Sequence, residues 1–262
     1  IRDQPRSRGL GDVYKRQELI REHGKSVDRF IAVSDYYAGH MSRYLGIPGA
    51  LVDVVPLGID LDSFFPAAAE TDRPFTIGYL GRIAPEKGVN LLCEAYRRLR
   101  RQGELEGCRI ELAGYLGPEH GPYLDGIMRQ VSEWGLEAEI NYRGPLELEE
   151  KLAFLQGLDI FAVPATYDDP KGLSLVEAMA CGVPVVSTKR GTYVELIERT
   201  GGGVLTTPDD LDGFASELLR LRTDDSRRVE MGQRGVAAVR AEYGADGMAA
   251  RALSIYSRLV SP

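Results

Sequence analysis

From Phe75 onward, short and mostly apolar runs alternate with longer helix-patterned segments, and this alternation constrains the fold more than any other feature of the chain. The runs are FTIGYLG, RIELAGY, EINYRG, LDIFAVP, PVVST and GGGVL. Between them lie a helix ending near Gln102, a helix around Tyr123 to Trp134, the segment ELEEKLAFLQG, a helix opening at Leu173, and YVELIER; three further helices close the chain. Strands this apolar, each followed by a helix, require a parallel sheet covered on both faces, because every crossover lays its helix against the sheet. Right-handed crossovers then give a doubly wound, Rossmann-like α/β domain from about Pro74. The usual order of six such strands, 3-2-1-4-5-6, sets the first and fourth side by side and opens the ligand crevice beyond their carboxyl ends.

That order singles out two loops. The first strand is followed by GRIAPEKG, Gly81 to Gly88, and the fourth by PATYDDPKG, Pro164 to Gly172. Topology thereby brings Arg82 and Lys87 to Lys171, a cluster of cations suited to a diphosphate. Asp168 and Asp169 precede Pro170, Lys171 and Gly172, a charged turn with backbone freedom at its glycine, and the helix start beneath it suits an anion. The helix from Leu173 to Cys181 is apolar or small almost throughout, the composition of a helix buried on most faces. Glu177 is the exception, and leaving its carboxylate unpaired there costs roughly 1–3 kcal/mol or more, so a polar partner must meet it. Plainer readings stand beside these: Asp168 or Asp169 as a helix cap, Glu177 paired with an arginine elsewhere, and Lys87 paired only with Glu86 or Asp169. Two further loops share the edge, NYRGP around Arg143 and Gly144, and STKRGTY from Lys189 to Thr192. Backbone groups at Gly144 and Pro145 are placed to read a base edge, although turn residues also occur there for steric reasons alone.

Composition narrows the classes. A net charge of -7 over 262 residues argues against a general nucleic-acid binder and makes a local group of cations more informative. No apolar run approaches the ~20 residues that span a bilayer, and the N-terminus lacks the apolar core of a signal peptide, so the chain reads as cytoplasmic with at most peripheral membrane contact. The basic run RRLRR, Arg97 to Arg101, ends a helix at the opposite edge of the sheet, where it offsets the helix dipole. Cys93, Cys108 and Cys181 stand alone within apolar segments and read as core residues. No G-x-G-x-x-G follows the first strand and no P-loop exists, which removes the main support for a dinucleotide or P-loop reading. The Asp168–Asp169 pair has no third oxygen ligand nearby, so no metal site is expected. His23, His40 and His120 fall outside both motif loops, and none is a candidate base.

Residues 1 to 17 mix Arg, Gly and Pro with hardly any apolar periodicity and are expected to be a loose end, non-native or disordered. From Val27, DRFIAVS reads as a strand, DYYAGHMSRYLG as a helix and VDVVP as a second strand. The segments LGIDLDSFFP and AAAETDR read as a connector, with a domain boundary near Pro66 to Arg73.

GRIAPEKG followed by DDPKGLSLVEAMACGVPVVST resembles the C-terminal domain of a retaining glycosyltransferase of family 4, of GT-B fold. The resemblance begins near Val27, where VSDYYAGHMSRYLGI and VVPLGIDLDSFFP are similar to the end of the N-terminal domain and the interdomain linker. It implies that residues 18–66 are a remnant of the acceptor domain with its linker and that 74–262 are the donor domain. It further implies that Arg82 and Lys87 bind the donor diphosphate, Glu177 the ribose hydroxyls and Asp169 the hydroxyls of the transferred sugar, while the amides of Leu173 and Ser174 cap the distal phosphate. Gly81, Arg143, Gly144, Lys171 and Gly172 complete the expected donor-binding set. The family usually carries Glu where this chain has Asp169, one methylene shorter, so the donor sugar of Glu-bearing relatives is not carried over. The implied reaction is metal-free retaining transfer to a glycan, lipid or small-molecule acceptor from a UDP-, GDP- or ADP-sugar, which is a substrate rather than a cofactor. The acceptor-domain histidine of the family has no counterpart here, so the chain is expected to be the donor-binding half and inactive by itself. A non-catalytic nucleotide-sugar-binding or partner module, or a sugar-nucleotide epimerase of the same fold, are the alternatives.

Overall fold

Near the start of the chain, helix α1 (Leu10–Gly24) precedes two short strands, β1 (Phe30–Ala32) and β2 (Val52–Val54), which pair in parallel around helix α2 (Asp35–Leu45). The computed structural model describes residues 10–67 and 73–260. The loose end expected to run to residue 17 is helical from Leu10. The stretch VYKRQELIREH is rich in Lys, Arg, Gln, Glu and Leu, all strong helix formers, and Arg21 Nε donates to Tyr44 O at 2.9 Å. The first nine residues lie outside the described ones, as do residues 68–72 of the connector expected to hold the domain boundary. Helix α2 starts where Ser34 accepts a hydrogen bond from the Tyr37 amide and stops at Gly46, which adopts φ +68°.

The remaining strands are β3 (Phe75–Leu80), β4 (Cys108–Ala113), β5 (Ile140–Tyr142), β6 (Ile160–Val163), β7 (Val185–Thr188) and β8 (Gly203–Thr206). They form one parallel sheet of six strands in the order β5-β4-β3-β6-β7-β8, the doubly wound order the alternation predicts. The crossovers are α3 (Val89–Arg101), α4 (Gly121–Glu133), α5 (Leu148–Gln156), α6 (Leu173–Ala180) and α7 (Tyr193–Thr200); α8 (Leu211–Thr223), α9 (Asp225–Glu242) and α10 (Ala245–Val260) follow. Ile77, Ile110, Leu112, Ile160, Phe161, Val185 and Val186 are all fully buried, so the core lies against the sheet.

The chain divides into two compact units, one of residues up to Pro56 with those from Ala249 onward, the other Leu57–Met248. The linker residues from Leu57 therefore group with the sheet rather than with the segment before them. A backbone pairing explains this: Ile59 N donates to Tyr243 O at 2.8 Å and Ala245 N to Ile59 O at 2.9 Å, fastening the linker to the end of α9.

Three arginines of the basic run ending α3 are paired: Arg97 and Arg98 with Glu94, Arg98 also with Asp212, and Arg100 with Glu139. The three cysteines are free and buried, and burial pushes the Cys93 and Cys181 thiols up to about 12. Among the described residues no helix is long and apolar enough to cross a membrane.

Candidate donor-binding site

Lys87 leads the site because two loops converge on its ammonium. It lies in a short 3-10 turn, Pro85–Lys87, after β3, and only 14% of its side chain is exposed. Nζ donates to Asp169 Oδ2 at 2.7 Å and to the Tyr167 hydroxyl at 2.6 Å, and sits 4.7 Å from the centre of the Tyr167 ring. The next residue, Gly88, has φ +76°, and a Cβ there would stand 1.9 Å from Pro164 O. Only glycine allows this approach of the turn to the end of β6. Thr166 N donates to Glu86 O at 2.9 Å, joining the same two segments a second time.

Asp169 is buried, 7% exposed, at the foot of the loop that enters α6. Its Oδ1 accepts from the amides of Lys171 and Gly172 at 2.8 and 2.9 Å, and its Oδ2 from Lys87 and from the Tyr167 hydroxyl. Burial alone would raise the Asp169 carboxyl, but hydrogen bonds from Lys87, Tyr167 and the Gly172 amide outweigh it and hold the group well below the usual carboxylate range. Around it burial pushes up the phenols of Tyr79, Tyr167 and Tyr193, and the Asp169 charge adds to the rise in each. Asp168 accepts from the Gly191 amide at 2.9 Å and Thr192 N donates to Asp169 O at 2.8 Å, so the loop after β7 is fastened to the same segment. The helix itself begins with Gly172 as N-cap at φ +64°, a residue with no side chain to bond its first amides.

Glu177 is equally buried at 7%, and its partner is Lys151 of α5, with Nζ 2.7 Å from Oε1. Lys151 also lies 5.0 Å from the centre of the Phe64 ring, in the linker. The carboxylate that had to have a partner therefore has one, a lysine rather than an arginine.

The other expected residues are placed as follows. Arg82 is half exposed and pairs with Glu86 of its own turn at 3.0 Å, while Tyr79 donates to the Arg82 carbonyl at 2.7 Å. Lys171 contributes its amide to Asp169, and its side chain is exposed. Gly81 N donates to Ala113 O at 3.0 Å and Gly114 N to Gly144 O at 2.8 Å, stitching the loops after β3, β4 and β5 in a row. Leu173 and Ser174 occupy the first turn of α6. Arg143 turns elsewhere: its Nε donates at 2.7 Å to Glu111 of β4, lining a cavity of about 550 Å³ with Thr76, Arg109 and Leu158 on a face of the sheet. Strand alternation sets Arg143 on the face that carries Glu111, and the buried glutamate needs the cation. Tyr167 and Lys151 were missed by sequence reasoning. Tyr167 stands two residues before Asp169 in an irregular loop, and Lys151 meets Glu177 only because α5 and α6 pack side by side, so neither carries a periodic signal.

A parallel sheet carries Lys87, Asp169 and a helix start beyond the carboxyl ends of its first and fourth strands, so these groups meet at the topological switch point of a doubly wound α/β domain. The profile of the family "Glycosyl transferases group 1" matches residues 62–237, more than half of the chain, and the chain belongs to that family. It is 28% identical over 250 residues to a GDP-mannose-dependent alpha-(1-6)-phosphatidylinositol monomannoside mannosyltransferase of Mycobacterium tuberculosis, covering 90% of this chain and 63% of that protein. The chain thus spans somewhat under two thirds of the length of this relative. Among solved structures, sucrose-phosphate synthase from Thermosynechococcus elongatus superposes with a TM-score of 0.82 at 22% identity, over 99% of this chain and 64% of that one. HepE of Anabaena, in complex with UDP and glucose, superposes with a TM-score of 0.81 at 21% identity, over 99% of this chain and 69% of its own. Both are GT-B glycosyltransferase structures, and the fold of this chain is theirs.

Proposed function

We propose that this chain is the donor-binding half of a retaining glycosyltransferase of family 4, which moves a hexose from a nucleoside-diphosphate sugar to an acceptor hydroxyl. One observation carries the reading: Lys87, from the loop after β3, is held against the entrance of α6, from the loop after β6, where strand order opens the crevice. Lys87 and the first amides of α6 are suited to the diphosphate, with the exposed Arg82 reaching it after leaving Glu86. Glu177 accepts from the ribose hydroxyls, with Lys151 neutralising its charge. The bond from the sugar C1 to the diphosphate oxygen breaks, its electron pair goes to that oxygen, and the cations and helix start stabilise the charge that develops. The acceptor oxygen then bonds to C1 on the face the diphosphate leaves, and the proton of its hydroxyl passes to the departing diphosphate oxygen. Membership of the glycosyl transferases group 1 favours transfer over an epimerase or a non-catalytic module. The mycobacterial relative uses GDP-mannose according to its name, which makes GDP the first nucleotide to try beside UDP and ADP.

The test is calorimetry of the chain with GDP, UDP and ADP. One of them binds, and Lys87→Ala weakens it by about 1.5 to 3 kcal/mol, the loss of a charge-assisted hydrogen bond. Absence of binding by all three at millimolar concentration refutes the reading.

A further inference from the structure

We infer that Asp169 and Tyr167 are positioning residues that preset the Lys87 ammonium for the donor diphosphate, and that Asp169 makes no contact with the transferred sugar. The inference rests on the donor-site reading above and departs from the sugar-binding role that resemblance implies for Asp169.

An ionised carboxylate offers about four lone-pair sites. Those of Asp169 are filled from within the chain: the Lys171 and Gly172 amides on Oδ1, Lys87 and Tyr167 on Oδ2. The phenol of Tyr193, itself buried, faces the same group. A sugar hydroxyl reaching Asp169 has to displace one of these donors. Losing either amide opens the turn that starts α6, and losing Lys87 or Tyr167 strands a cation or a phenol in a largely buried place. The short side chain is the cause, because Asp bonds readily to amides two and three residues on, folding back into its own loop rather than reaching outward.

Lys87 is the opposite case. An ammonium carries three donors, and its two protein partners leave one N–H for a ligand. The Tyr167 hydroxyl accepts from Lys87 and donates to Asp169, closing a ring of three groups in which each fixes the other two. The backbone beneath is clamped by Gly88 against Pro164. The rotamer freedom of a lysine, among the largest ordering costs of any side chain, is thus already lost before a ligand arrives.

The experiment measures affinity by calorimetry for the free nucleoside diphosphate that wild type binds and for a matching nucleoside-diphosphate hexose, in wild type, Tyr167→Phe, Asp169→Asn and Lys87→Ala, and in Tyr167→Phe combined with Lys87→Ala. Tyr167→Phe weakens both ligands by the same factor, roughly 3- to 10-fold, and Asp169→Asn weakens both by on the order of 10- to 100-fold. The ratio of the two affinities stays at its wild-type value. In the Lys87→Ala background Tyr167→Phe costs nothing more, since its whole effect passes through the lysine. Two results overturn the inference while leaving the donor site standing: a loss confined to the sugar-bearing ligand, or a Tyr167→Phe cost that persists without Lys87. Should Asp169→Asn fail to fold, the Tyr167→Phe cycle alone decides. Absence of any binding by wild type overturns the donor-site reading and this inference with it.

Discussion

Asp169 at the entrance of α6 and Glu177 within it are buried alike, each 7% exposed, and each meets a lysine at 2.7 Å. They differ in how many of their lone pairs are taken. Asp169 has four donors on its two oxygens. Glu177 has Lys151 on Oε1, its hydrogen-bond partner among the described residues. Burial and an ion pair therefore do not separate the two roles proposed for them, shaping the site and receiving the ligand. The count of unfilled acceptor positions does, because a ligand hydroxyl bonds only where the protein has left room.

The comparison is most exposed to Asp169→Ala, which removes a partner from Lys87 and from two loop amides at once. Urea unfolding is expected to show a loss of about 3 kcal/mol, against about 1 to 2 kcal/mol for Glu177→Ala, whose lysine is 24% exposed and can turn to water. Equal losses would break the contrast. Gly88→Ala comes next: the left-handed backbone and the clash with Pro164 O cost roughly 1 to 3 kcal/mol, and the displaced Lys87 should weaken nucleotide binding measured by calorimetry. Lys151→Met sharpens the Glu177 side, with an expected loss of about 1 to 2 kcal/mol in nucleotide affinity that Lys151→Arg largely restores; an unchanged affinity would mean that Lys151 does not orient the carboxylate.

The smallest effect is in pH. The Asp169 carboxyl is depressed in the folded chain, so its contribution to stability is complete above the ordinary Asp value of about 3.9 and is lost as pH falls through the lower, folded value. Stability measured by urea unfolding between pH 5 and 8 should therefore owe no slope to Asp169, and Asp169→Asn should flatten only the acid limb. A variant that unfolds with the same acid limb as wild type would show that the carboxyl is not held ionised by its partners.

The strand order, the two loops of the crevice and the buried α6 were legible in the sequence, because apolar runs and helical spacing repeat along the chain and crossover handedness leaves few ways to arrange them. The need of Glu177 for a partner was legible as well, from one charge in an apolar helix. That the partner is Lys151 was not, since it depends on which residues of α5 and α6 face each other. The helix at Leu10–Gly24 is not legible in apolar periodicity, because what favours it is the helix propensity of its charged and polar residues. The direction of the Arg143 side chain is not legible from its loop, since it follows from the pleat of β5 and the demand of Glu111.

What the sequence by itself determined, then, is the frame of the proposed site: one doubly wound sheet, one switch point, and the residue types gathered there. Only the tertiary structure decided which of those residues are already engaged. Asp169 and Lys87 lie far apart along the chain, and whether they bond to each other or to a ligand turns on the placement set by Tyr167, Gly88 and the turn into α6. Periodicity records which face a side chain occupies, but hydrogen-bond saturation depends on the positions of donors brought together from separate loops.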